Sequence, residues 1–284
     1  MCVLARFVAL VLVVPALTGC ITSETLIKLN ADRSGTIEQL ILVNVKTMEA
    51  LPRMMGEMMG GDVKSSSSSS SKDVSPLDVF DEAQLRADAA KLGEGVRFVS
   101  TGKIVRGDMQ GARVVYAFDD VNVLTIQPDP PMGAMGDAAP EGDGSEPLDL
   151  AFTRLPNGHT LLTVRFDEAD APNSRKTPAA GKGAKGGMPD GMEDMMRQMF
   201  DGFRVAIDVE VNGAIVNTSS PFVDGSRVTV LEMDLGLLLR DSANLKILDR
   251  IEPGASMAEM MPRLKDVKGI KVNQSPVTIE FTGR

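Results

Sequence analysis

Apolar and polar residues alternate in short runs along most of this chain, and turn-forming residues separate the runs. Such a pattern reads as β-strand with one buried face. Residues 25–29 and 36–43 are rich in strand formers and flank Asn30-Ala31-Asp32-Arg33-Ser34-Gly35, which predicts a β-hairpin. Residues 96–105, 111–118 and 121–126 predict three successive antiparallel strands joined by short turns. Residues 148–155 and 160–166 flank Asn157-Gly158, a pair suited to a type I′ turn, and predict the clearest hairpin of the chain. Residues 203–211, 214–218 and 226–231 predict further strands, with turns at Asn212-Gly213 and Asp224-Gly225, and residues 277–281 predict a closing strand.

A helical period replaces the alternation in a few segments. Residues 45–59 predict a helix with Met54, Met55, Met58 and Met59 on one face; Pro52 interrupts its first part and Gly60-Gly61 stops it. Ser75-Pro76 opens a second helix that runs to Leu92 and ends at Gly93. Glu82 and Arg86 form a favourable i, i+4 pair on it. Residues 189–200, 234–240 and 256–266 predict three more, the last disturbed by Pro262. Between the elements lie a serine-rich loop at 62–75, an acidic Pro/Gly loop at 127–147 and a basic Gly/Lys loop at 169–187. Hairpins dominate and helices are inserted among them. The expected fold class is α+β, with antiparallel, hairpin-rich sheet or sheets and several inserted helices. The halves at 25–126 and 148–284 either form separate units or supply strands to one shared sheet.

The first twenty residues follow another pattern. Arg6 is the only charge before an almost wholly apolar run over residues 7–17, which is too short to span a bilayer and reads as a secretory signal. Leu17-Thr18-Gly19-Cys20 directly follows it and resembles the bacterial lipobox. The resemblance implies cleavage after residue 19 and lipidation of Cys20, and two or three acyl chains anchor a protein stably. A first strand starting at Thr25 leaves residues 20–24 as a tether of about 15–18 Å, which holds the domain against the membrane surface. Ile21 follows the cysteine where an inner-membrane retention signal of the enterobacterial type would place aspartate. The expected location is therefore the extracytoplasmic side of a cell membrane, and the inner leaflet of the outer membrane if the cell has one.

About 265 residues remain after such cleavage, enough for one large domain or two small ones. With Cys2 in the leader and Cys20 acylated, no thiol remains for a disulfide or a thiolate metal site. The net charge of −9 argues against nucleic acid as a partner. With no Trp and one Tyr, the chain is poorly equipped to stack sugars.

Candidate chemistry is sparse. His159 is the only histidine, stands at a hairpin shoulder and reads as an ordinary polar residue there. No Gly-x-Ser-x-Gly is present. Asn30, Asp32, Ser34 and Glu38 half-match a calcium loop, but Ile41 occupies the position of the bidentate acid and strands flank the segment, so a plain turn is expected. The methionines stand out. Met188, Met192, Met195, Met196 and Met199 share one helical face, and Met257, Met260 and Met261 repeat the spacing. Such a face serves as adaptable core filler, as an apolar groove for a lipid, a peptide or a partner helix, or as a thioether site for Cu(I). Arg175, Lys176, Lys182 and Lys185 read as a solvated loop or as contacts to anionic headgroups.

Two stretches carry a family likeness. One holds Gly95-Val96, Gly111 and Tyr116-Ala117-Phe118-Asp119-Asp120-Val121-Asn122. The other holds Phe200-Asp201-Gly202-Phe203, Val211-Asn212-Gly213, Asp224-Gly225 and Met233-Asp234-Leu235. With the lipobox they resemble bacterial lipoproteins of unassigned activity that carry a hairpin-rich α+β domain, and more loosely the LppM-like lipoproteins. That resemblance implies an anchor and a fold class, and brings no catalytic residue. The sequence thus points to a non-enzymatic, membrane-anchored binding or envelope-assembly protein, with a lipid or an envelope protein as partner and no cofactor. The alternatives are a carboxylate-dependent extracytoplasmic hydrolase and a copper-handling lipoprotein.

Overall fold

The computed structural model describes residues 21–46, 81–127, 147–165, 202–241, 243–244, 264 and 267–283. In the first part, β1 (Ile21–Leu29) and β2 (Gly35–Asn44) form a hairpin, α1 (Glu82–Asp88) follows, and β3 (Arg97–Arg106) pairs with β4 (Met109–Phe118). Next come the hairpin β5 (Asp149–Arg154) and β6 (Thr160–Arg165), then β7 (Arg204–Val211) and β8 (Gly213–Thr218). The chain continues through β9 (Val223–Asp224), β10 (Arg227–Asp234), α2 (Leu235–Arg240), β11 (Ile270–Val272) and β12 (Val277–Gly283).

The strands assemble into two sheets. The larger has the order β11-β10-β7-β1-β2-β4-β3, with β9 added beside β10; the smaller has the order β5-β6-β12-β8. β1 is central in the larger sheet, antiparallel to β2 and parallel to β7, with Thr22 opposite Arg204 and Leu29 opposite Val211. Both halves of the chain therefore supply strands to one sheet. A single apolar cluster takes Ile27, Val114, Phe118, Ile207 and Val228 from the larger sheet and Leu150, Leu162, Val164, Ile279 and Phe281 from the smaller. The two sheets thus pack face to face, and each such side chain contributes about 1.5–3 kcal/mol on burial. Alternation within a strand sets the faces. In β7, Val205, Ile207, Val209 and Val211 are buried, while Arg204, Asp208 and Glu210 lie on the other face. Tyr116 belongs to this core, edge-on to Phe98 at 6.2 Å, and burial pushes its hydroxyl pKa up to about 12.

The α+β class expected from the sequence is overturned. Of the described residues 59% are in strands and 16% in helices, so the fold is β-rich, with a large mixed sheet and a second antiparallel one. Within the described residues the second predicted helix comprises α1 and a 3-10 turn at Ala89–Leu92, and its first part lies outside them. Asp81 caps α1 by accepting from the Ala83 N–H at 2.7 Å. Residues 121–126 do not form a strand. Asp120 accepts from the Asn122 N–H at 3.0 Å and folds Val121–Val123 into a 3-10 turn, leaving Leu124 and Ile126 in single bridges. The first strand starts at Ile21, not Thr25, because Ile21 to Ser23 pair with Val43 to Ile41 and Ile21 is buried. No described helix is long and apolar enough to cross a membrane.

Candidate functional site

The β1–β2 turn lies at one end of the larger sheet, beside the end of β7. Between β1 and β2, the Asn30 N–H donates to the Ser34 carbonyl at 2.8 Å, and the Arg33 N–H to the Asn30 carbonyl at 3.3 Å. Arg33 has φ +80°, the left-handed position of a three-residue hairpin loop. Asp32 accepts from the Ser34 hydroxyl at 2.6 Å and the Ser34 N–H at 3.0 Å. These two bonds, the hydroxyl first, hold its carboxyl below the usual range. Asn30 in turn donates to the Ser34 hydroxyl at 3.0 Å. The polar atoms that a calcium ion would need are bonded to one another, as a plain turn requires. No group of three or more His, Cys, Asp or Glu positioned for a metal occurs among the described residues.

A shallow depression of about 520 Å³ opens beside this turn, with Asn30, Ser34, Glu210, Asn212 and Ser226 on its rim and Phe118 at its wall. Asn212 ties the β1 and β7 ends together: its N–H donates to the Leu29 carbonyl at 2.8 Å and its side-chain amide to Asn30 Oδ1 at 3.1 Å. Arg227 pairs with Glu210 at 2.8 Å, and Lys28 with Glu38. A small polar ligand entering the depression would have to compete with these contacts.

His159 stands between the β5–β6 turn and the start of β6, as its place after Asn157-Gly158 implied. Pro156 locks its own φ negative and only Gly158 is left-handed, at φ +82°. The turn is therefore the three-residue type with a terminal left-handed glycine, and not type I′. His159 Nδ1 lies 2.7 Å from Glu280 Oε1 on β12, and Asn157 Nδ2 donates to the same oxygen at 3.2 Å. The His159 bond, then the Asn157 bond, holds the Glu280 carboxyl below its usual range. The sequence does not single out Glu280, because 121 residues separate the pair.

The opposite end of the larger sheet carries the start of β1. Ile21 pairs with Val43, Val43 with Gln110 and Gln110 with Val105, one row across four strands. Ile21, Val43, Phe203 and Val205 form a small buried cluster there, with Leu235 against it. Asp234 caps α2 at this end by accepting from the Leu237 N–H at 2.8 Å. Arg204 pairs with both Glu24 and Glu232, and Lys271 joins Glu232 at 2.8 Å.

The other expected site residues lie outside the described residues: Cys20, the methionine face Met188, Met192, Met195, Met196 and Met199, and the basic Arg175, Lys176, Lys182 and Lys185.

No protein-family model matches the chain, and no curated protein matches it either. Among solved structures it has a loose likeness to the NMR structure of the folded domain of Mycobacterium tuberculosis LppM. The identity is 11%, the TM-score is 0.33, and the likeness covers 94% of this chain and 91% of that one. A likeness at that level assigns neither an activity nor a ligand.

Proposed function

We propose that this chain is an extracytoplasmic lipoprotein, anchored through Cys20, whose β-rich domain serves a non-enzymatic binding or envelope-assembly role. The observation that carries the reading is the Leu17-Thr18-Gly19-Cys20 motif set directly before Ile21, the first residue of the central strand. The acyl chains would be joined to the domain without a tether, so the domain stands at the membrane with one end toward it. The helical spacing of Met188 to Met199 supports a lipid or an apolar protein surface as the partner.

The test is Cys20→Ala expressed with its own leader. The wild type is expected in the membrane fraction, with the mass of an acylated cysteine on its first tryptic peptide, and the variant in the soluble fraction. A variant that stays with the membrane, or a wild-type peptide of unmodified mass, refutes the anchor.

A further inference from the structure

The row Ile21–Val43–Gln110–Val105 places the tip of the β3–β4 hairpin level with the residue that follows Cys20, about 14 Å away across three strand spacings. Three features meet at that end. Val105 is 64% exposed on the edge strand β3, and Leu237 is 47% exposed on α2, so bare apolar side chains flank the row on both sides. Lys103 and Arg106 are exposed and have no acidic partner among the described residues. Lys46 and Lys268 extend the basic character, with one acid each, Asp108 at 2.9 Å and Asp241 at 3.7 Å. At the far end the bases are paired: Arg97 with Asp119 at 2.6 Å, Arg33 with Asp120 at 3.5 Å and Arg227 with Glu210 at 2.8 Å. Lys103 and Arg106 thus stand at the anchored end as exposed bases without a described acid beside them.

We infer that the β3–β4 tip is a membrane-contact surface: Lys103 and Arg106 meet anionic phospholipid headgroups while Val105 enters the interface beside them. The inference rests on the anchor proposed above and adds the orientation of the domain and the lipid chemistry that the surface meets. The physical logic is that of two signals. The acyl chains hold the protein at the bilayer, and a few basic side chains within a Debye length of an anionic surface set the face presented to it. A domain without a tether has few orientations to choose among, so a small number of charges decides between them.

The experiment uses the whole lipidated protein in proteoliposomes. Mature protein has no free thiol on this reading, so Val105→Cys and, at the far end, Val223→Cys each take one environment-sensitive fluorophore. Vesicles are phosphatidylcholine alone or phosphatidylcholine with phosphatidylglycerol. With phosphatidylglycerol the label at 105 is expected to shift to the blue and lose quenching by iodide, while the label at 223 stays fully quenched. Adding K103E and R106E should abolish that shift, and raising the salt should weaken it. If the protein floats with both vesicle types but the label at 105 is as quenched as the label at 223, the contact surface is wrong and the anchor stands. The charges on β3 then only keep a free sheet edge from pairing with other chains. If the wild type fails to float at all, the anchor itself is wrong and the contact surface falls with it.

Discussion

Glu280 accepts from His159 Nδ1 at 2.7 Å, and this contact joins the β5–β6 turn to the closing strand. The folded chain lowers the Glu280 carboxyl pKa below its usual 4.5. A lowered acid pKa adds stability that is fully present above 4.5 and is lost as pH falls through the lowered value. Glu280→Gln should therefore be less stable than the wild type at neutral pH, and the gap should close in acid. Urea titrations at pH 7 and well below pH 4.5 measure this. A gap that widens in acid would show that this contact is not the source.

Arg33 holds φ +80° in the β1–β2 turn, a conformation that an L side chain adopts at a cost. Its ion pair with Asp120, at 3.5 Å and half-exposed, returns little. Arg33→Gly should raise stability by about 0.5–1 kcal/mol, the relief of strain less the added freedom of the unfolded chain. Thermal melting checks the sign.

Gly111 faces Leu42 where β4 meets β2, and a β-carbon there would lie 1.8 Å from the Ile41 carbonyl oxygen. Backbone cannot give way as a side-chain tip does. Gly111→Ala should cost about 3 kcal/mol by forcing β2 and β4 apart. Denaturant titration gives the loss, and amide exchange should show faster opening at Leu42 and Gln110. A loss under about 0.5 kcal/mol would contradict the close approach.

Asn273 is buried and its side-chain amide donates to the Thr229 and Val230 carbonyls, both at 2.8 Å. These carbonyls flank the register shift where β10 bulges against β7. Asn273→Ala leaves them without this donor and should cost about 1–3 kcal/mol. Asn273→Asp should cost more, because a carboxylate brings charge where the chain needs a donor. Equal losses for the two variants would mean that packing, and not the hydrogen bonds, matters at this position.

The three local hairpins are legible in the amino-acid pattern. Alternation marks β1–β2, β3–β4 and β5–β6, and Asn30 to Gly35 and Asn157-Gly158 mark two of their turns. The pattern misleads where a short apolar run can fold in two ways. Val121 to Ile126 has strand composition, but Asp120 bonds the Asn122 N–H and closes a 3-10 turn instead. The helix predicted from Ser75 is described only from Asp81, which caps α1, and Glu82 pairs with Arg86 as the i, i+4 spacing predicted. Arg86 also lies 4.7 Å over the Phe98 ring, a contact that no spacing rule foretells.

By itself the sequence determined the lipobox-like motif, most of the longer strand segments and the hairpins between neighbours. These are local matters, since closing a short loop costs little entropy and the side-chain period is written residue by residue. Only the tertiary structure decided that β1 is the central strand, that β7 lies parallel to it, that β12 sits between β6 and β8, and that His159 meets Glu280. Partners more than a hundred residues apart are chosen by which faces bury one another best. That choice depends on all the strands at once, and no stretch of chain carries it alone.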